Sequence, residues 1–252
     1  MIHFVGAGPG AIDLITMRGH KLLTQAHVII YAGSLVNIEL LNCAKINCRI
    51  YNSANMTLEE VIHVMREAEA NNEMTVRLHT GDPSIYGAIR EQIDMLKKYE
   101  IQYEVVPGVS SFCGAAAAIS AEYTLPNVSQ SVIITRMEGR TPVPEREKIR
   151  SLASHKTSMV LFLSSNLTEE LANELIEGGY DPDTPVAVVY KATWPDEKVF
   201  NCTIETLHQT MKANNIYKTA LILVGDFLGD KYERSQLYNP KFTHEYRKAS
   251  DE

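Results

Sequence analysis

The strongest constraint on this chain is a regular alternation of short apolar runs with longer segments whose apolar residues recur at helical spacing. Residues 2–5 read as an apolar strand, closed by the loop GAGPG at 6–10. A helix is expected from Asp13, with Leu14, Ile15, Leu22 and Leu23 on its apolar side. Further strands are expected at 27–31, 49–51, 75–79 and 103–106. Thr57 and Glu60 form a capping box ahead of Leu58, Val61, Ile62 and Met65. Ser84 is expected to open a helix carrying Ile85, Ile89, Ile93 and Leu96, and Ser110 and Ser111 to cap a small-residue helix at 114–119. Strands that alternate with helices imply βαβ units and a mostly parallel sheet.

Residues 121–130 break the pattern and read as a linker. The expectation is an N-terminal α/β domain over 1–120 and a C-terminal α/β domain over 121–252, ending in a polar surface tail from Gly229. In the second domain, strands are expected at 132–135 and 159–163. Asn166 and Glu169 should cap a helix with Leu171, Ala172 and Leu175, stopped by Gly178 and Gly179. Runs 186–190 and 198–202 flank the turn-like TWPD and are expected to form a hairpin, which makes the second sheet mixed. Ile204, Leu207 and Met211 mark a helix, and 220–224 a last buried strand.

Composition narrows the function classes. With 45% hydrophobic residues in 252, a sizeable core needs no metal or disulfide staple. The net charge of −7 disfavours a nucleic-acid partner but leaves room for an acidic substrate in a local basic pocket. No apolar run approaches the ~18 residues of a membrane span, and the N-terminus lacks the charged start of a signal peptide. Cys43, Cys48, Cys113 and Cys202 form no C-x-x-C pair and are expected as free thiols in a reducing cytoplasm. His63 has no histidine four residues away, so no protein-bound metal is expected.

Glycine- or serine-marked loops follow four strands: residues 6–10, 32–34, 81–84 and 107–111. In a parallel sheet all of them fall at the carboxyl ends of the strands, where open α/β sheets bind ligands. Turn-forming glycines alone are the competing explanation. Gly6, Gly8 and Ala11 fit a dinucleotide fingerprint, but Pro9 removes an amide that a pyrophosphate would use, and the second strand ends without an acidic residue. The phosphate-loop signature and the G-x-S-x-G elbow are both absent. His79 ends a strand beside Asp82 and is expected to make a structural hydrogen bond.

Residues 5–16 (VGAGPGAIDLIT), 77–87 (RLHTGDPSIYG) and 106–112 (VPGVSSF) resemble three motifs of the tetrapyrrole methylases, and the resemblance runs through nearly the whole chain. Segments 31–36 (YAGSLV), 128–140 (VSQSVIITRMEGR) and 234–247 (RSQLYNPKFTHEYR) look most like the members that methylate carbon 11 of cobalt-precorrin-4 in cobalamin biosynthesis. Other acceptors stay open: another precorrin carbon, metal-free precorrin-4, or a non-tetrapyrrole. The resemblance implies a homodimer that uses S-adenosylmethionine, yields S-adenosylhomocysteine, and binds the donor in the cleft between its domains. Carried over by position, the donor site comprises Pro9, Gly81, Asp82, Ile85, Ser110 and Ser111 from the first domain. Leu163, Ala187 and Ala220, at or near strand ends, complete it from the second.

A sulfonium donor carries no phosphate, so Pro9 is tolerable in a loop that need not cradle one. Displacement at the activated methyl group asks the protein mainly for positioning. Glu91 is the candidate general base for the proton lost from the acceptor carbon. In the family's uroporphyrinogen members an arginine follows the glycine that matches Gly87; Ala88 stands there here, and Arg90 is the substitute. A solvated helix glutamate is the plainer reading of Glu91. The acceptor bears several carboxylates, which suit guanidinium forks. Residues 136–150 carry Arg136, Arg140, Arg146, Lys148 and Arg150 against Glu138, Glu145 and Glu147. By resemblance Arg136 and Tyr31 meet the substrate; an ordinary basic loop is the alternative.

Overall fold

The computed structural model describes residues 1–250, so the last two residues of the expected second domain lie outside the description. The chain divides into two compact units. One is Met1–Ala115 with Lys191–Glu197; the other is Ala116–Tyr190 with the residues from Lys198 onward.

The first unit is built on β1 (Ile2–Gly6), β2 (Val28–Tyr31), β3 (Arg49–Asn52), β4 (Thr75–His79) and β5 (Tyr103–Val106), in the order β3-β2-β4-β1-β5. Every pairing is parallel, as the alternation with helices requires. Successive side chains alternate between faces. Val5, Ile29, Val76 and Leu78 pack on one side with Leu23 of α1 (Met17–Gln25). Ile2, Phe4, Val28 and Ile30 pack on the other, with Val61, Ile62 and Met65 of α2 (Leu58–Ala70) and Leu96 of α3 (Ile89–Lys98). The capping box at Thr57 and Glu60 is present.

Three helix starts in this unit differ from expectation. Residues Ile12–Leu14 make only a 3-10 turn, Ile15 is extended, and α1 begins at Met17, where the Thr16 hydroxyl accepts from Gly19 N. Gly19 lets that helix sit close to the sheet, since a Cβ there would lie 2.8 Å from Val5 Cγ1. Ser84 opens no helix. It donates through both its amide and its hydroxyl to Asp82, and Tyr86 (φ 55) and Ala88 (φ 49) are left-handed, so α3 starts only at Ile89. The small-residue helix α4 spans Ser111–Ala118, starting three residues earlier than expected, so Ser111 is its first residue and not a cap.

The second unit's sheet runs β6 (Val132–Arg136), β7 (Ser158–Phe162), β10 (Ala220–Val224), β8 (Pro185–Tyr190), β9 (Lys198–Thr203). Only β6 and β7 are parallel, and β8 and β9 form the expected antiparallel hairpin, so the sheet is mixed. Its core joins Met159, Leu161, Val186, Val188, Ile222 and Val224 to helices α5 (Ile149–Ala153), α6 (Thr168–Glu177) and α7 (Leu207–Ala213). Helix α6 has Leu167 at its N-cap and no side-chain cap, so Asn166 does not play the expected part. The tail beyond Gly229 is largely exposed. All four cysteines are free. Among the described residues no helix is long and apolar enough to cross a membrane.

Candidate active site

Because β1 lies between β4 and β5, the loops after these three strands meet at one edge of the first sheet. Their backbones touch. Gly8 and Gly81 exchange hydrogen bonds at 3.3 and 2.9 Å, and Ala7 N donates to His79 O at 2.7 Å. A Cβ on Gly6 would lie 2.5 Å from both Gly108 Cα and Gly81 O, and one on Gly108 only 2.2 Å from Gly81 O. Glycine is therefore required at Gly6 and Gly108 by close approach. Ser110 and Ser111 follow at once, with Ser110 buried and Ser111 N within 3.4 Å of a Cβ on Gly81.

Asp82 staples two of these loops. Its Oδ2 accepts from Gly108 N at 2.8 Å, and its Oδ1 accepts from Ser84 N at 2.8 Å and Ser84 Oγ at 2.5 Å. Burial pushes the Asp82 carboxyl up, but the Ser84 hydroxyl and the Gly108 and Ser84 amides outweigh it and hold the group below its ordinary range. Both carboxylate oxygens are thus engaged within the protein. Ile85 follows on a turn, its amide donating to Asp82 O at 3.2 Å.

The first loop is held by residues that sequence reasoning missed. Trp194 Nε1 donates to Pro9 O at 3.1 Å, Asn37 Nδ2 donates to Gly10 O at 2.9 Å, and Ala11 N donates to Thr193 Oγ1 at 3.0 Å. The Trp194 ring fills the space beside Gly10, where a Cβ would come within 2.2 Å of Cδ1. The amides of Ala7, Gly8 and Ala11 are consumed internally. The loop is accordingly unsuited to a pyrophosphate, in line with the departures from the dinucleotide fingerprint. The only available signal was the chain's single tryptophan, in a stretch that reads locally as a hairpin turn.

Beneath the loops, β4 carries buried polar groups. Arg77 Nε donates to Gln92 Oε1 at 3.0 Å and Nη1 to Ile30 O at 3.1 Å, and Gln92 Nε2 donates to Ala88 O at 3.0 Å, tying the strand to the start of α3. Burial pulls the Arg77 guanidinium down to about 10. His79 is 3% exposed and lies against Phe4 at 6.1 Å. Burial, aided by the Arg77 charge, pulls its pKa down to about 3, so it is neutral. The hydrogen bond expected for its ring is not made at Nε2, which has no partner.

Glu91 lies exposed in the first turn of α3, and Arg90 is paired with Asp94 at 2.9 Å on a solvent face. Tyr31 is the last residue of β2, and its carbonyl accepts from Ser53 Oγ at 3.1 Å.

In the second unit, Leu163 follows β7 in a left-handed conformation (φ 52) and is 63% exposed. The antiparallel register, Leu161 opposite Ile222, places it at the end where Ala220 begins β10. Ala187 differs from expectation. It sits inside β8 opposite Leu223 and is 1% exposed, because β8 continues to Tyr190 before it reaches that end. Arg136 donates through Nη1 to Met137 O and Thr141 O, both at 3.2 Å, and through Nη2 to Pro142 O at 2.9 Å. Much of the basic stretch is neutralised: Lys148 pairs with Glu145 at 2.7 Å, Arg146 with Glu147 at 3.7 Å, and Arg150 with Glu174 at 2.8 Å.

Known proteins place this architecture. Residues 1–208 match the family described as tetrapyrrole (corrin/porphyrin) methylases. The cobalt-precorrin-4 C(11)-methyltransferase of Methanocaldococcus jannaschii is 56% identical over 246 residues, covering 97% of this chain and 95% of that protein. A solved cobalamin-biosynthetic enzyme, a cobalt-precorrin-4 methyltransferase, is 50% identical with a TM-score of 0.89, covering 91% of this chain and 96% of its own. A uroporphyrin-III C-methyltransferase from Thermus thermophilus, solved with S-adenosylhomocysteine, shares the fold at 24% identity and a TM-score of 0.75, covering 90% of this chain and 98% of its own. The chain belongs to the tetrapyrrole methylase family.

Proposed function

We propose that the protein transfers a methyl group from S-adenosylmethionine to carbon 11 of cobalt-precorrin-4. The observation that carries this reading is 56% identity, over nearly the full length of both chains, to a relative of that name. In the first unit the donor meets the loops that hold Pro9, Gly81, Asp82, Ile85, Ser110 and Ser111. Glycine at Gly6 and Gly108 lets the three loops close on one another at this edge, and the internally satisfied amides suit a ligand without phosphate. Asp82, with both oxygens committed, shapes the loop. In the second unit, exposed Leu163 and neighbouring Ala220 offer an apolar contact, whereas buried Ala187 serves as packing behind that surface.

The sulfonium supplies an electrophilic methyl group and a good leaving group. The chain's own work is to hold the acceptor carbon in line and close, which can provide several kcal/mol of the barrier. Glu91, exposed at the start of α3, takes the proton released from that carbon. Arg136 spends three of its five donors on loop carbonyls, and the remaining two N–H groups meet a substrate carboxylate, with Tyr31 as a second contact. Arg90 assists the proton transfer to Glu91 after leaving its exposed ion pair with Asp94. The reading carries a homodimer with it, to be checked by light scattering.

The test is incubation with isotopically labelled donor and a panel of precorrins. One methyl group gained by cobalt-precorrin-4, located at carbon 11 by NMR, is the expected result. Methylation of metal-free precorrin-4 alone, or of another carbon, would reassign the acceptor, and no transfer to any member would overturn the reading.

A further inference from the structure

We propose that Thr193 and Trp194, the strap at Lys191–Glu197, are positioning residues that mould the loop at 8–11 for the donor. The inference rests on the donor reading above. Three backbone groups in succession are pinned: Pro9 O by Trp194 Nε1, Gly10 O by Asn37 Nδ2, and Ala11 N by Thr193 Oγ1. The strap is itself braced, with Thr193 N donating to Glu197 Oε2 at 2.5 Å, Trp194 N to Lys191 O at 3.0 Å, and Lys191 paired with Asp196 at 2.5 Å.

Strain marks the same residue. Thr193 has φ 69, a region that a β-branched side chain rarely enters. Such strain persists only where surrounding structure over-determines it, and it concentrates at functional sites. Here it delivers a hydroxyl acceptor to an amide of the loop that opens the donor site. The same packing fixes Pro9 against the start of α4: a Cβ on Gly114 would lie 3.0 Å from Pro9 Cβ and 3.2 Å from Thr193 Cγ2.

The test compares Thr193→Val, an isostere without the acceptor, with Thr193→Ser, which restores it, and with Trp194→Phe, which keeps a ring but loses the N–H. Calorimetric titration with S-adenosylhomocysteine should show Kd raised about three- to ten-fold in the Val and Phe variants, the size of one lost hydrogen bond. The Ser variant should bind like the wild type. In turnover, KM for the donor should rise in step while kcat at saturating donor stays within about two-fold. Wild-type affinity in both the Val and Phe variants would overturn the inference and leave the donor reading intact. Absence of binding by the wild type would overturn the donor reading, and this inference with it.

Discussion

Glu91 and His79 show how differently single residues must be read in this protein. Glu91 is exposed on the first turn of α3, and its assignment as base rests on its place in the family's motif. Glu91→Gln keeps the shape and removes the proton acceptor. The expected result is kcat lower by about 10²–10⁴, with affinity for S-adenosylhomocysteine unchanged; an unaltered kcat would return Glu91 to the role of a solvated helix residue. His79 makes a prediction about stability instead. In the unfolded chain its pKa is about 6.5, whereas in the fold burial and Arg77 pull it down to about 3. Between these values the unfolded chain binds a proton that the folded one refuses. Stability is therefore full above about pH 6.5 and falls as the pH drops, by up to about 1.4 kcal/mol per unit. His79→Phe keeps a ring against Phe4 and removes an unpartnered buried nitrogen. Its thermal midpoint should match or exceed that of the wild type at pH 7 and exceed it further at pH 5; a constant gap would contradict the neutral buried ring. The run TVRLH was legible as a strand, but nothing local showed that Arg77 and His79 face the core, because that follows from β4 lying in the middle of its sheet.

At the scale of elements, strands were read best and helix starts worst. β4, β5 and β10 have the expected bounds: β4 and β10 lie inside their sheets as apolar or near-apolar runs, and the edge strand β5 is closed by Pro107 and Gly108. Helix starts depend on which of several candidate caps the backbone uses. Thr16 displaced Asp13 because Ile15 stays extended, and Ser84 was drawn into the Asp82 turn. That turn ends at Ala88, left-handed at φ 49, immediately before α3. A left-handed residue with a Cβ costs roughly 1–2 kcal/mol, and glycine's added chain freedom gives back about 0.5–1. Ala88→Gly should therefore raise the unfolding free energy by about 0.5–1 kcal/mol, measured as an upward shift in the thermal midpoint. A lowered midpoint would mean that the backbone there is not held left-handed. The strap at Lys191–Glu197 was invisible for a different reason. Its residues read as the tip of the β8–β9 hairpin, yet they group with the first unit, a long-range outcome that no local spacing encodes.

Charge is the property that only the whole molecule makes interpretable. The chain carries −7 overall, so long-range attraction of a polycarboxylate acceptor is not available and recognition must be local. From sequence, residues 136–150 formed a basic island in which only the resemblance singled out Arg136. The fold sorts them. Arg146, Lys148 and Arg150 are each matched by a carboxylate, and exposed ion pairs of this kind contribute little and bind little else. Arg136 is oriented by three carbonyls and keeps two donors, and Arg140 is exposed with no carboxylate within ion-pair distance among the described residues. If carboxylate recognition is local, Arg136→Ala and Arg140→Ala should each raise KM for the acceptor about ten-fold or more, the worth of one charge-assisted hydrogen bond, and leave KM for the donor unchanged. Arg146→Ala and Arg150→Ala should leave both constants within about two-fold, because each removes a cation already neutralised. Equal effects from all four variants would mean that the acceptor responds to the summed charge of the segment, and the assignment of Arg136 as a specific anchor would fail.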